Sequence, residues 1–383
     1  MKELAQFLPN LANLRKELHH HPEISGKEFK TAYLLHQFLR QFSPSHIIDK
    51  IGKTGIAFIF QGENPGKTVL IRAEMDALHL EEEIDVPYSS ERKSLSHTCG
   101  HDGHMAMVAG LGFFLNRTPP RSGRVILLFQ PAEETGKGAL AVLNDSRFKK
   151  ITPDYVFALH NLPGYPHHSI IVRDGTFALA SEGLSIRLKG HTAHAAYPEQ
   201  GISPLPAVME LLKTLPQINK QKQDSPATWQ LSITHMNLGK SGYSTIPGNA
   251  LINLTLRADT SRELDILHSR IKKITAKTAL KYYLEENIQR WEPFDATIND
   301  PAAVSVIRKA ARRNRFTLIE PESPMRWSED FCHFTARFTG ALFGLGAGEN
   351  QSDLHTRYYD FPDEIIETGV TMFYSIIREL LND

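Results

Sequence analysis

Residues 124–139 read RVILLFQPAEETGKGA, and their order of apolar, acidic and glycine-rich segments indicates the fold class. It begins with a continuous apolar run, which is typical of a strand buried on both faces of a mostly parallel sheet. A proline ends the run, and Glu133 and Glu134 come directly after it. Glycines then lead into a helical pattern over residues 137–147. The order of strand, polar turn and helix predicts an α/β layer architecture.

The same pattern repeats along the first 180 residues, where short apolar runs bounded by Gly and Pro alternate with helical stretches such as 103–116. The predicted strands lie at residues 56–60, 68–71, 124–129, 155–159 and 170–172. Near residue 180 the pattern changes to alternating strands and two helices, which suits a small sheet covered on one face. Those strands are predicted at 183–188, 228–236 and 251–257, and the helices at 203–215 and 261–281.

From residue 293 the chain is predicted to be helical again, at residues 301–314, 329–338 and 363–381. We expect these helices to return to the first domain. The length of 383 residues also favours more than one domain. The sequence therefore predicts a larger α/β domain in two parts, 1–179 and 293–383, interrupted by a smaller α+β domain at 180–292.

The charge balance excludes several function classes. Lys and Arg number 43, as do Asp and Glu, so the formal net charge is zero. Nucleic-acid binders and electrostatic membrane anchors need a basic excess. No apolar run approaches the roughly 20 residues that span a bilayer, and the N-terminus lacks the apolar core of a signal peptide. We expect a cytoplasmic protein that binds neither nucleic acid nor membrane.

Polar side chains follow three of the predicted strands. Asp76 follows 68–71, Glu133 and Glu134 follow 124–129, and His160 follows 155–159. Because sites form at the carboxyl ends of strands in open α/β sheets, these side chains are expected to meet. A further stretch, CGHDGH at 99–104, places a thiol and imidazoles at the start of a helix.

Thiol, imidazole and carboxylate together form a ligand set typical of zinc. Two adjacent glutamates can divide two tasks, one as a metal ligand and the other as a general base. His355 is ambiguous from its local pattern. The run His19, His20 and His21 is interpreted as a helix end and turn, and Cys332 as a small buried hydrophobe.

The chain resembles the metal-dependent amidohydrolases that include hippurate hydrolase, bacterial N-acyl-amino-acid aminoacylases and plant indole-acetyl-amino-acid hydrolases. These belong to the larger group with carboxypeptidase G and the succinyl-diaminopimelate desuccinylases. The matching stretches lie in family order: LRKELHHHPEISGKE (14–28), KTGIAFI (53–59), PGKTVLIRAEMDAL (65–78), HTCGHDGHMAM (97–107), FQPAEETGKGA (129–139), ALHNLP (158–163), GHTAHAAYPE (190–199), SEDF (328–331) and LHTRYYDF (354–361).

The resemblance implies a zinc-peptidase-like catalytic domain with a mostly parallel sheet, interrupted by a lid or dimerisation domain through which a homodimer could form. It also implies roles for single residues. Glu133 is the general base, Asp76 orients a ligand histidine, and His194 reaches the scissile carbonyl oxygen. The arrangement it implies is two divalent ions, zinc or manganese, bridged by the thiolate and by a water or hydroxide. The implied ligands are Cys99, His101, Glu134, His160 and His355.

Four positions depart from the family pattern, and we expect them near substrate-facing or hinge parts rather than among the ligands: Glu74, Glu199, Ser203 and Ser244. The working hypothesis is hydrolysis of the amide bond of N-acyl amino acids or related small amides. Arg257 is the candidate partner of the substrate carboxylate, and a strand-end surface arginine is the alternative. Two alternative functions stay open, namely a dipeptidase or carboxypeptidase with the same site, and a silent homologue that only binds acyl amino acids.

Overall fold

The computed structural model describes residues 2–220 and 229–381. The helices are α1 (Lys2–His20), α2 (Phe29–Leu39), α3 (His101–Arg117), α4 (Gly138–Asn144), α5 (Leu205–Thr214), α6 (Gln217–Lys220), α7 (Ser261–Lys281), α8 (Pro301–Arg313), α9 (Cys332–Thr335) and α10 (Ile366–Leu381). Short 3-10 helices lie at Arg40–Phe42, Glu133–Thr135, Phe148–Ile151, Pro198–Gln200 and Asp363–Ile365.

The strands are β1 (His46–Ile51), β2 (Gly55–Gln61), β3 (Asn64–Glu74), β4 (Ser122–Gln130), β5 (Tyr155–Leu162), β6 (Ile170–Ile171), β7 (Gly175–Ala178), β8 (Ala180–Lys189), β9 (Ala193–His194), β10 (Trp229–Leu238), β11 (Thr245–Ile246), β12 (Asn249–Ala258), β13 (Glu285–Phe294), β14 (Thr297–Asn299), β15 (Leu318–Ile319) and β16 (Thr339–Gly346).

These elements divide between two compact units. The first unit comprises Met1–Phe177, Thr297–Ser323 and Glu329–Asp383. The second unit comprises Ala178–Ala296 and Pro324–Ser328. Each unit has its own core of buried apolar side chains.

The first unit is built on an eight-stranded sheet in the order β1-β2-β4-β3-β5-β16-β6-β15. Its central strands β4, β3, β5 and β16 run parallel. In their register Glu74 pairs with Gln130, Arg72 with Ala158, and His160 with Gly344. The carboxyl ends of the four strands therefore lie side by side, and the predicted α/β class with a mostly parallel central sheet is confirmed.

One central strand was not expected. The prediction of a purely helical segment after residue 293 is wrong, because β16 lies in the middle of the sheet beside β5. A Cβ atom at Gly340 would lie 2.2 Å from Val156 Cγ2, and one at Gly344 2.2 Å from Leu162 Cδ1. Glycine weakens the sequence signal of a strand, although here it permits the close approach. The helix predicted over 329–338 is reduced to α9.

Helices bury apolar stripes against the first sheet. On α1 the helical spacing of Leu11, Leu14 and Leu18 places all three side chains in the core. Burial of one such side chain contributes about 1.5–3 kcal/mol to folding. The same core takes residues from α2, α3, α8 and α10, among them Leu35, Met107, Ile307 and Phe373.

The second unit contains an antiparallel sheet in the order β10-β12-β8-β13. Two helices cover it, since Leu211 of α5 and Leu267 of α7 share a core with Ile186 and Leu254 of the strands. Thr260 caps α7 by accepting a 3.2 Å hydrogen bond from the backbone N–H of Glu263. The strand predicted at 228–236 corresponds to β10, except that Thr228 lies outside the described residues. Strand β13 was not predicted.

Among the described residues, none of the helices combines the length and the apolar character that a membrane crossing requires.

Candidate metal centre

Cys99 lies where the chain enters helix α3. Between it and His101, the backbone of Gly100 adopts a left-handed conformation with φ +87°. A Cβ at this position would lie 2.6 Å from the Asn161 side chain, so that both the torsion and the space require glycine. Cys99 itself is buried directly before the N-cap of the helix.

Two histidines approach the Cys99 sulfur from different elements. His160 of β5 places Nε2 3.5 Å from Sγ, and His355, on the loop after β16, places Nε2 3.3 Å from it. The other nitrogen of His160, Nδ1, lies 2.9 Å from the carbonyl oxygen of Asn161. A proton on Nδ1 donates that bond and leaves the Nε2 lone pair facing the sulfur.

His101 and Glu134 complete the cluster. His101 Nδ1 donates to the carbonyl oxygen of Asp76 at 2.8 Å. Its Nε2 is buried without a hydrogen-bond partner, as is Glu134 Oε1, and these two atoms lie 3.9 Å apart. His355 Nε2 lies 3.6 Å from the same Glu134 oxygen. Buried polar atoms without partners are costly, which indicates that they serve a group that binds here.

The donor atoms fit a divalent cation. In each of three trios, Cys99–His101–His160, Cys99–Glu134–His355 and His101–Glu133–Glu134, one ligand atom per residue lies within 4.8 Å of the others. Thiolate, imidazole and carboxylate are the ligands that zinc prefers. The overlap of the first two trios at Cys99 gives the sulfur the position of a shared ligand. The structure therefore brings together all five residues that the resemblance implied as ligands.

The electrostatics of the cluster also match a cation site. Burial raises the pKa of the Cys99 thiol well above its ordinary value, and Glu134 and Glu133 add to this. Burial likewise raises the pKa of Glu134 to about 7, against the lowering effect of His101. Burial and the neighbouring His104 lower the pKa of His160 to about 3, so this ring is neutral. A divalent cation favours the deprotonated thiol and carboxylate and needs the neutral imidazole.

Asp76 organises the two glutamates. One carboxylate oxygen accepts from the backbone N–H of Glu133 and the other from that of Glu134, both at 3.0 Å. The carboxylate also accepts from the Ser25 hydroxyl at 2.6 Å. The contact that orients His101 is thus made by the backbone carbonyl of Asp76, while its side chain holds the Glu133–Glu134 turn.

Glu133 lies among other acids at the edge of the cluster. Burial, together with the charges of Glu329 and Glu134, raises the pKa of Glu133 well above its ordinary value. Its Oε1 accepts from the backbone N–H of Asp330 at 3.4 Å. A carboxylate that is poised to hold a proton beside a metal site suits general acid and base chemistry.

A buried ion-pair network around Arg72, which was not predicted from the sequence, lies next to Glu133. Arg72 donates to Glu329 Oε1 at 2.9 Å, to Asp330 Oδ1 at 2.7 Å and also to Glu74. His104 Nδ1 lies 2.8 Å from Glu74 Oε2. An arginine inside an otherwise apolar strand is the signal that could have predicted these partners, because a buried charge needs counter-charges.

The expected location of Glu74 is wrong. This side chain is 0% exposed and contacts Arg72 and His104, and it forms a close trio with His101 and His104. It is therefore a fully buried partner of Arg72 and His104 and lines no accessible surface. Arg72 and His104 hold the pKa of Glu74 well below its usual range, against the effect of burial.

His194 and Arg257 lie in the second unit. His194 is exposed on β9, and its Nδ1 accepts from the backbone N–H of Ala196 at 3.0 Å. Arg257 on β12 donates to the carbonyl oxygen of Arg326 at 2.6 Å and approaches Ser328 Oγ at 3.4 Å. Their assigned roles stay predictions. Glu199, Ser203 and Ser244 belong to the same unit.

A model of peptidase family M20/M25/M40 matches residues 70–379, which is most of the chain. The chain belongs to this family. One curated relative of the chain is N-acetyl-L-cysteine deacetylase of Bacillus subtilis (strain 168). The two sequences are 29% identical over 384 residues, and the alignment covers 99% of this chain and 90% of the relative. Hippurate hydrolase of Campylobacter jejuni is 28% identical over 381 residues, covering 99% and 98%.

Among solved structures, the YXEP protein of Bacillus subtilis, a dinuclear metal binding peptidase from the M20 family, superposes with a TM-score of 0.83. It is 25% identical, and the match covers 98% of this chain and 99% of that one. Membership of the M20/M25/M40 family confirms the predicted resemblance, and with it the prediction of a metal-dependent amidohydrolase.

Proposed function

We propose that the chain hydrolyses the amide bond of N-acyl amino acids or related small amides, with two divalent ions, zinc or manganese, held by the cluster in the first unit. The observation that carries this proposal is the convergence of His160 and His355 on the one sulfur of Cys99. A thiolate that is shared in this way suits two neighbouring ions rather than one.

The relatives support the substrate class and the ion count. Two of them are named for the hydrolysis of an N-acyl amino acid, since hippurate is benzoylated glycine. A third, the B. subtilis structure, is a dinuclear metal binding peptidase. These three relatives cover nearly the whole chain.

The residues divide the work as follows. Cys99, His101, Glu134, His160 and His355 would hold the ions, which supply Lewis acidity and lower the pKa of water. Glu133 takes the proton from the attacking water and returns it to the nitrogen of the leaving amine. Asp76 anchors the backbone of the turn that carries Glu133 and Glu134 by accepting hydrogen bonds from both of their N–H groups. Glu133 thereby stays within reach of the reacting atoms.

The substitution Glu133→Gln tests this function. It keeps the shape of the side chain and removes its capacity to accept a proton, so we expect turnover to fall by about 10²- to 10⁴-fold. Elemental analysis should still find the wild-type metal content. The substrates are N-acetyl, N-benzoyl and indole-acetyl amino acids, with dipeptides in the same panel.

The matched control is Glu320→Gln, which changes a partly exposed glutamate bound by Arg308 at 2.7 Å. This variant should keep full activity. Wild-type turnover by the Glu133→Gln enzyme would contradict its role as the base. A metal-loaded enzyme that cleaves only dipeptides would favour the peptidase alternative, and one that cleaves nothing would favour the silent homologue.

Several further parts of the proposal rest on resemblance. We assign residues 1–179 and 293–383 to a catalytic domain and 180–292 to a lid or dimerisation domain, with a homodimer through the latter. His194 is assigned to the scissile carbonyl oxygen and Arg257 to the substrate carboxylate. Light scattering of the purified chain tests the dimer, and His194→Ala should lower kcat more than it raises KM. A cytoplasmic location stays a prediction.

A further inference from the structure

The position of His355 is not fixed by a helix or a strand. Its loop connects β16 to the 3-10 helix Asp363–Ile365. The backbone of His355 is left-handed, with φ +59°, a conformation that is uncommon outside glycine. Its side chain is 53% exposed. What holds this loop therefore decides whether Nε2 stays beside the Cys99 sulfur.

One hold comes from the cluster itself. The backbone N–H of His355 donates to the carbonyl oxygen of Thr98 at 2.9 Å, directly before Cys99 in the chain. This bond ties the middle of the loop to the turn that carries the thiol. It leaves the residues after His355 to be held from elsewhere.

The second hold is Glu83, which lies after β3 in the segment between β3 and α3. Its backbone N–H donates to the carbonyl oxygen of Arg357 at 2.7 Å. Its carboxylate accepts from the Tyr358 hydroxyl at 2.9 Å and from the Arg357 guanidinium. Glu83 thus binds both residues that follow Thr356, on the far side of His355. Hydrogen bonds from Arg357 and Tyr358 lower the pKa of Glu83, so it is charged at neutral pH.

We propose that Glu83 is a positioning residue for His355 and sets the affinity of the chain for the second of its two ions. This rests on the proposed function, in which His355 is a ligand. Glu83 acts on His355 through Arg357 and Tyr358 and through an exposed ion pair, so its removal should change metal affinity by up to about 5-fold. The ion on the side of His160 should be indifferent to Glu83, because that ring is held by β5 and by the Asn161 carbonyl.

The experiment measures stepwise metal binding by the full chain. The protein is stripped with a chelator and titrated calorimetrically with Zn²⁺, and in parallel with Mn²⁺. Glu83→Gln should leave the first binding step at its wild-type affinity and weaken the second by about 2- to 5-fold, the size that an exposed ion pair allows. Tyr358→Phe, which removes one of the contacts of Glu83, should weaken the second step less. The control Glu320→Gln should change neither step.

Two further measurements distinguish an effect of Glu83 on the position of His355 from an effect on the folding of the chain. The metal-free Glu83→Gln protein should unfold at the wild-type temperature. Arg357→Gln and the double variant with Glu83→Gln should be no worse than Glu83→Gln alone, because both remove the same contact. If Glu83→Gln does not fold, Tyr358→Phe and Arg357→Gln decide the question by the same titration.

The variant His355→Ala distinguishes failure of the proposed metal cluster from failure of the positioning role of Glu83. If it loses the second ion while all variants at Glu83, Arg357 and Tyr358 bind both ions as the wild type does, the role of Glu83 is overturned and the metal cluster stands. If the wild type takes up fewer than two ions, or His355→Ala keeps both, the proposed cluster fails and the role of Glu83 fails with it.

Discussion

His160 and His355 lie at nearly equal distances from the Cys99 sulfur, but the protein holds them in opposite ways. His160 is 6% exposed and belongs to a central strand, with Nδ1 bonded to a neighbouring carbonyl. His355 is 53% exposed and lies on a loop that is tied down by surface contacts. The buried side of the centre is therefore preorganised by the sheet, whereas the loop side depends on two isolated backbone hydrogen bonds and on a few exposed side chains.

The largest effect is expected where the two sides meet. Cys99→Ala removes the sulfur that both histidines approach, so we expect the chain to lose high-affinity binding of both ions. Loss of a residue that only orients a metal ligand lowers activity by up to about 100-fold. Loss of the shared ligand itself should lower turnover by more than that. Elemental analysis after dialysis and a rate measurement test this. Cys332→Ala, which changes the other cysteine, should keep both ions, and a Cys99→Ala protein with full metal content would show that the sides do not share a ligand.

The next effect is a loss of stability in the buried ion-pair network around Arg72. Arg72→Met leaves Glu74, Glu329 and Asp330 without their cation. We expect the free energy of unfolding to fall by about 3–5 kcal/mol, because uncompensated charges stay buried. Denaturant unfolding of the metal-free chain measures this.

The matched substitution at the surface is Arg308→Met. This arginine pairs with Asp174 at 3.0 Å and with Glu320 at 2.7 Å, and both acids are about half exposed. The loss should stay below about 1 kcal/mol, since water replaces the partners. Equal losses at Arg72 and Arg308 would contradict the distinction between buried and exposed support.

A smaller effect is the pH dependence of the stability that the buried His19 contributes. His19 lies 2.8 Å from Asp102 Oδ2 and 2.9 Å from Glu82 Oε2. Burial opposes its protonation, but these two acids outweigh burial and raise its pKa from 6.5 to about 9. The folded state therefore binds the proton more tightly than the unfolded state. The stabilisation is complete below about pH 6.5 and is lost as the pH rises towards 9.

The measurement compares wild type with His19→Asn at both ends of that range. The difference in their free energies of unfolding should be about 3 kcal/mol smaller at pH 9.5 than at pH 6. The charged groups near the ring, Arg15 and Asp102 among them, keep their charges over this interval. A difference that is constant with pH would mean that His19 does not take up a proton on folding.

Much of the buried side could be predicted from the sequence. Asp76, Glu133 and Glu134 follow apolar runs, and His160 lies near the end of another. The carboxyl ends of parallel neighbours meet, so strand order alone brings these side chains together. Cys99 and His101 were predicted because a thiol and imidazoles stand at the start of a helix. Local pattern was enough to predict that these side chains meet at one edge of the sheet, whereas their roles as ligands and base came from the family resemblance.

The loop side could not be predicted in that way. His355 was ambiguous from its neighbours, and only the family resemblance pointed to it. Its place depends on Thr98 and Glu83, which are distant in sequence, and no period or propensity encodes such contacts. The same reason explains the misplaced Glu74, whose partners Arg72 and His104 are specified by tertiary packing. Strand β16 was missed because its glycines suppress the strand signal while they permit close packing.

Asp76 has a consequence for the reshaping of this enzyme by mutation or by design. One carboxylate receives the backbone N–H groups of both Glu133 and Glu134. If Glu133 carries the proton and Glu134 binds metal, as proposed, a displacement of Asp76 shifts both residues together. New substrate preferences have to arise from residues outside this pair. An engineer who wishes to transplant the chemistry to another scaffold must transfer the anchoring aspartate together with the two glutamates.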